Sequence, residues 1–197
     1  KGYPPAEENP SAYHLVGSDY SGNFSEHFGK TLCEMARDDG KICAITAAMQ
    51  DGVGLSDFAE AFPDRFFDVG IAEGHGVTMA AGMAKQGLVP VFAVYSSFLQ
   101  RGFDMLIHDV SLLGLHTVFC VDRAGLVGND GETHQGVFDV CYLSAVPGMT
   151  ILCPASFQEL HDMLGYAIHE VTGPAAVRYP RGGEGRYTDS LMQAENL

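Results

Sequence analysis

Val89-Pro90-Val91-Phe92-Ala93-Val94 is the stretch on which the fold turns. It is a short, unbroken apolar run. Residues 75–86 before it and 99–113 after it carry helical periodicity, and they close at Gly87 and Gly114. A strand that alternates apolar and polar residues covers a core on one face only. An unbroken run suits a strand buried on both faces, with helices above and below.

The same alternation extends outward in both directions. Residues 25–37 place Phe28, Leu32, Met35 and Ala36 at helical spacing, with Gly40 just beyond. Residues 41–46 read as a buried strand. Residues 56–62 read as a short helix stopped by Pro63, and 65–69 as a strand. In the 75–86 helix, Ala80, Ala81 and Gly82 are small enough for close packing. Further on, 117–121, 150–153 and 175–178 read as strands. Residues 156–170 read as a helix in which Ser156 and Glu159 fit a capping box. The expected fold class is α/β: a doubly wound, mainly parallel six-stranded sheet with helices on both faces and its site at the carboxyl ends of the strands. No GxGxxG follows a strand, which disfavours a dinucleotide site.

The chain has 197 residues, 46% of them hydrophobic and 18% charged, as expected for a folded domain with a sizeable core. A net charge of −14 argues against nucleic acid and anionic membrane surfaces as partners. The apolar runs are too short to span a bilayer. The five cysteines are odd in number, and no pair has CxxC spacing. Cys43, Cys120 and Cys153 sit in apolar runs and read as buried thiols, so a reduced, cytoplasmic protein is expected. The eight histidines show no metal-binding spacing. The first ten residues, with Pro4-Pro5 and two acids, read as linker with no charged-then-apolar leader. The expected division is a linker over 1–20, a domain over 21–186 and a second linker over 187–197.

Residues 122–136 form a fifteen-residue connection, long for a compact domain. It reads Asp122-Arg123-Ala124-Gly125-Leu126-Val127-Gly128-Asn129-Asp130-Gly131-Glu132-Thr133-His134-Gln135-Gly136. Its glycines permit close approach of backbone to a ligand. Arg123, Asp130 and His134 supply a cation, an acceptor and a titratable group. On composition alone, a solvated surface loop and a functional site stand equally open.

Asp130-Gly131-Glu132-Thr133-His134-Gln135-Gly136 resembles a signature of the transketolase-like pyrimidine-binding domains of thiamine-diphosphate enzymes. Three more segments agree, in the family's order. Phe67-Asp68-Val69-Gly70-Ile71-Ala72-Glu73-Gly74-His75 resembles the turn that carries the cofactor glutamate. Tyr95-Ser96-Ser97-Phe98-Leu99-Gln100-Arg101-Gly102-Phe103-Asp104 resembles the next strand-to-helix junction. Arg178-Tyr179-Pro180-Arg181-Gly182 resembles the exit of the last strand. The Tyr95 and Asp122-Arg123-Ala124-Gly125 segments are similar to the deoxyxylulose-phosphate synthase branch. One departure is visible: Gly74 stands where the family usually has Gln.

The resemblance implies carbanion transfer with thiamine diphosphate as cofactor. Pyruvate would lose carbon dioxide and join glyceraldehyde 3-phosphate, giving 1-deoxyxylulose 5-phosphate, a precursor for isoprenoid and thiamine synthesis. It implies that Glu73 bonds the cofactor's aminopyrimidine, a role suited to an apolar pocket, while Phe98 stacks on that ring and the linker residue Tyr3 reaches it. Arg123 and Arg181 would hold the acceptor phosphate, with Tyr95 and Arg101 close by. Asp130 and His134 would orient substrate oxygens, and His134 would move protons. His75 would help to shape the pocket, and His108 and Asp109 are read as structural. The family binds Mg2+ through a Gly-Asp-Gly segment in a separate N-terminal domain, and this chain has no such segment. The expectation is a fragment, inactive alone, that works with N- and C-terminal domains and as a homodimer. A transketolase-type subunit and a non-catalytic α/β binding module are the alternatives.

Overall fold

The computed structural model describes residues 22–184, together with residue 2 and the short helix α1 (Pro4–Glu8). The expected linker tyrosine, Tyr3, and the expected linker over 187–197 lie outside the described residues.

Six strands form one sheet: β1 (Ile42–Thr46), β2 (Phe66–Asp68), β3 (Val89–Tyr95), β4 (Val118–Asp122), β5 (Thr150–Leu152) and β6 (Ala175–Arg178). Their order is β2-β1-β3-β4-β6-β5, and every pairing is parallel. The apolar runs of β1, β3 and β4 fill the centre, and Ala44, Phe92, Phe119 and Cys120 are fully buried. The helices are α2 (Phe24–Asp38), α3 (Ser56–Ala61), α4 (Glu73–Lys85), α5 (Ser96–Leu99), α6 (Phe103–Met105), α7 (Asp139–Leu143) and α8 (Phe157–His169). From β1 the chain runs outward to β2 and then returns across β1 to β3. The crevice at the carboxyl ends of β1 and β3 is therefore a switch point, the usual place for a ligand in such a sheet.

Local chemistry explains the helix starts. Asn23 Oδ1 accepts from Glu26 N–H at 2.9 Å and caps α2. Ser156 caps α8 as expected, accepting from Glu159 N–H at 3.1 Å. The Glu159 carboxylate reaches back one residue further than a capping box requires, accepting from Ala155 N–H at 2.7 Å.

Three expectations need correction, and one helix is new. Residues 99–113 do not form one helix. The segment is broken into α5, a 3-10 turn (Gln100–Gly102), α6, a π turn (Leu106–Val110) and another 3-10 turn (Ser111–Leu113). Helix α7 was not foreseen. Cys153 is exposed rather than buried, because β5 is an edge strand and the chain leaves the sheet there. Gly82 faces open space; the small residue that lets α4 lie on the sheet is Gly76, where an added Cβ would fall 2.7 Å from the Phe92 ring.

Candidate functional site

The site is assembled from the segments that follow β2, β3, β4 and β6. Strand β2 ends at Asp68, whose Oδ1 accepts from Gly70 N–H at 2.9 Å and from Ala48 N–H at 2.8 Å. That carboxylate ties two strand-end loops together, and Gly70, at φ +70°, supplies the left-handed turn between them. The turn delivers Glu73 as the first residue of α4, two positions before the helix expected from periodicity. Glu73 is only 2% exposed. A carboxylate at a helix N-terminus faces the positive end of the helix dipole.

The surroundings of Glu73 are not purely apolar. Arg101 Nη1 donates to Glu73 Oε1 at 2.7 Å, and the same guanidinium lies 5.1 Å from the centroid of Phe98. Arg101, expected close to the phosphate-holding groups, is paired with the glutamate. Gly74 follows Glu73, and an added Cβ there would meet Met105 Cε at 2.9 Å. The atom it would meet is the tip of a flexible side chain, which could move aside for a larger residue at 74.

Beyond Phe98 the rings continue. Tyr95, the last residue of β3, stacks on Phe98 with centroids 5.7 Å apart. His134 meets Phe98 edge-on at 5.1 Å and Tyr95 at 5.9 Å. The Tyr95 ring also carries the Arg123 guanidinium, 3.8 Å from its centroid. The rings of Phe98, Tyr95 and His134 therefore form one aromatic cluster with a cation at each end.

Arg123, expected to hold the acceptor phosphate with Arg181, is 1% exposed. Its Nη1 is 2.9 Å from Asp122 Oδ2 and donates to Gly52 O at 2.8 Å, and its Nε donates to Asp130 Oδ2 at 3.3 Å. Asp122 is fully buried and accepts from Ser25 Oγ–H at 2.6 Å. Burial pushes the Asp122 carboxyl up from its ordinary value, and Arg123 and Ser25 act in the opposite direction. Arg123 also sits at φ +56°, a conformation in which a non-glycine residue is strained by about 1 kcal/mol. The outward cation is Arg181, whose side chain is 28% exposed and whose Nε lies 3.0 Å from the same Asp130 oxygen. That contact is an ion pair without the alignment of a hydrogen bond.

The connection expected to be a long loop is closed on itself. Gly125 and Gly136 exchange backbone hydrogen bonds at 2.7 and 2.8 Å. Two 3-10 turns, Gly128–Asp130 and Glu132–His134, lie inside that closure and present Asp130 and His134. A Cβ at Gly136 would fall 2.1 Å from Arg123 O and 2.6 Å from Ser96 Oγ. Gly136→Ala should therefore displace the loop. The expected loss is about 1–3 kcal/mol of stability, read as a lower melting temperature.

Two site supports were invisible in the sequence. Arg178, at the end of β6, donates Nε to Asp139 Oδ2 at 2.9 Å and Nη2 to Asp139 Oδ1 at 3.2 Å. That fork fixes α7, from which Tyr142 Oη–H donates to Ser96 O at 3.0 Å, bracing the start of α5 beneath Phe98. His75 is exposed at the start of α4. His108 and Asp109 pair with one another at 2.9 Å, and Asp109 also bonds Thr78 at 2.6 Å, a structural arrangement apart from the residues described above. Among the described residues, no group of three or more His, Cys, Asp or Glu side chains is placed to hold a metal ion, and no helix is long and apolar enough to cross a membrane.

A family model described as the transketolase pyrimidine-binding domain matches residues 22–183. A curated relative from Chlorobium luteolum named 1-deoxy-D-xylulose-5-phosphate synthase is 54% identical over 200 residues, covering 94% of this chain and 32% of its own length. One of the same name from Clostridium kluyveri is 51% identical, covering 99% of this chain and 33% of its own length. The chain thus spans about a third of the curated relatives it matches. Among solved structures, an inactive β4 tetramer of a split-gene transketolase superposes with a TM-score of 0.73 at 28% identity, covering 85% of this chain and 54% of that one. Transketolase from Leishmania mexicana superposes with a TM-score of 0.75 at 15% identity, covering 91% of this chain and 28% of that one; it bears on the fold alone.

Proposed function

This chain belongs to the transketolase pyrimidine-binding domain family, and on that basis we propose that it forms the aminopyrimidine half of the active site of a thiamine-diphosphate-dependent 1-deoxy-D-xylulose-5-phosphate synthase. The observation that carries the proposal is the juxtaposition of a buried carboxylate, Glu73, with the face of Phe98 through one shared neighbour, Arg101. A carboxylate acceptor beside an aromatic platform fits a flat, nitrogen-rich ring, which needs one hydrogen bond at its edge and stacking on its face.

When bound, thiamine diphosphate supplies the electron sink for a two-carbon carbanion equivalent. Glu73 would share one proton with the ring nitrogen, its carboxyl donating to the neutral ring and its carboxylate accepting from the protonated one. Phe98, backed by Tyr95, supports the ring. His134 overhangs the Phe98–Tyr95 stack and carries protons to and from substrate oxygens. Arg181 holds the anionic end of glyceraldehyde 3-phosphate. Arg123, buried behind it, keeps Asp130 in place, so that both arginines bear on one carboxylate. Mg2+ and the diphosphate end of the cofactor belong to an N-terminal domain, a C-terminal domain completes the protein, and the whole works as a cytoplasmic homodimer.

The test is an assay of the full-length protein with pyruvate and glyceraldehyde 3-phosphate, alongside the same assay of this chain alone. Carbon dioxide and 1-deoxyxylulose 5-phosphate are expected from the first and neither from the second. Turnover of a ketose phosphate donor in place of pyruvate would overturn the assignment in favour of a transketolase-type subunit.

A further inference from the structure

Glu73 has to be reached by any ring nitrogen that bonds it, yet it is 2% exposed. Arg101 lies on it, with Nη1 donating to Oε1 at 2.7 Å. The same guanidinium stands 5.1 Å from the Phe98 centroid. One cation therefore takes both the hydrogen-bond acceptor and the aromatic face that an aminopyrimidine requires. A guanidinium is itself a planar N–H donor that stacks on rings, so the two groups compete for one place. Arg101 is able to yield it. Its side chain is 57% exposed, so its charge passes into water at small cost. The backbone beneath it is held: Gly102 packs so closely on α4 that an added Cβ would lie 2.8 Å from Val77 Cγ2. Motion is confined to the side chain.

We propose that Arg101 is a movable cover over the aminopyrimidine position, displaced when thiamine diphosphate enters and closing again when it leaves. It is a positioning residue that acts through Glu73, and it makes cofactor affinity the outcome of a competition. The proposal rests on the reading of Glu73 and Phe98 given under Proposed function.

The experiment is calorimetric titration of thiamine diphosphate, with Mg2+ present, into the full-length protein as wild type, Arg101→Met and Arg101→Gln. Both variants should bind about fivefold to tenfold more tightly, since the competing charge-assisted hydrogen bond is gone. Unchanged or weaker binding by folded variants, with wild type binding normally, would overturn the cover and leave the site assignment standing. A wild type that binds no thiamine diphosphate would overturn the site assignment and the cover together. Far-ultraviolet circular dichroism confirms folding, and the conservative Gln substitution guards against a packing defect peculiar to Met.

Discussion

Replacing Glu73 with alanine is expected to lower turnover of the full-length protein by about a thousandfold or more, the scale associated with losing a group that handles a proton in the transition state. The structure makes this a clean experiment. Glu73 is covered, but its partner Arg101 is more than half exposed. Deleting the carboxylate leaves that guanidinium able to turn into water, so no buried charge is stranded. Helix α4 loses one favourable charge in its first turn, worth about 0.3–1 kcal/mol. The melting temperature should move by only a few degrees while carbon dioxide release from pyruvate nearly disappears. Near-normal release would remove Glu73 from the chemistry.

The second large effect is on stability. Arg123→Met should cost about 3–5 kcal/mol, because it leaves the buried Asp122 carboxylate facing Ser25 without its cation. A loss of that size lowers the melting temperature by about 10 °C. The pH dependence has a definite sign. Burial raises the folded-state pKa of Asp122, so the folded protein binds a proton there more readily than the unfolded chain does. Its contribution to stability falls as pH rises from the ordinary carboxylate value through the raised one. Without Arg123 opposing the effect of burial, that window extends upward. The variant should therefore lose less at pH 5 than at pH 8. Equal losses at both, or a melting temperature within a degree or two of wild type, would show that Arg123 is not what makes Asp122 tolerable in the core.

The residues differ in how much of this their order could disclose. Strands β1, β3 and β4 announce themselves because burial on both faces demands unbroken apolar runs. α2 and α8 show periodicity long enough to count. Residues 96–113 mislead, since their apolar spacing is helical while the backbone changes hydrogen-bond register four times. α7 is too short to show a period, and two of the residues at its start, Phe138 and Val140, are exposed apolar side chains that mark no core face. Cys153 looks buried in a list of neighbours, and only the position of β5 at the sheet edge exposes it. Glu73, Phe98, Tyr95, Asp130 and His134 are legible through their motifs. Three partners of the arginines are not, because these pairs join segments far apart in sequence: Arg101 with Glu73, Arg123 with Gly52, Arg178 with Asp139. Pairing of that kind depends on the sheet order, which no local pattern contains.

Phe24 N–H donates to Gly182 O at 2.9 Å, so the first turn of α2 and the exit from β6 are laced together. The polypeptide enters and departs from this unit at a single doorway. A unit built in this way can sit inside a longer chain with few consequences for what flanks it. Chimaeras with the curated relatives therefore need only two neighbouring junctions, near residues 22 and 184, to exchange the whole family domain as a cassette.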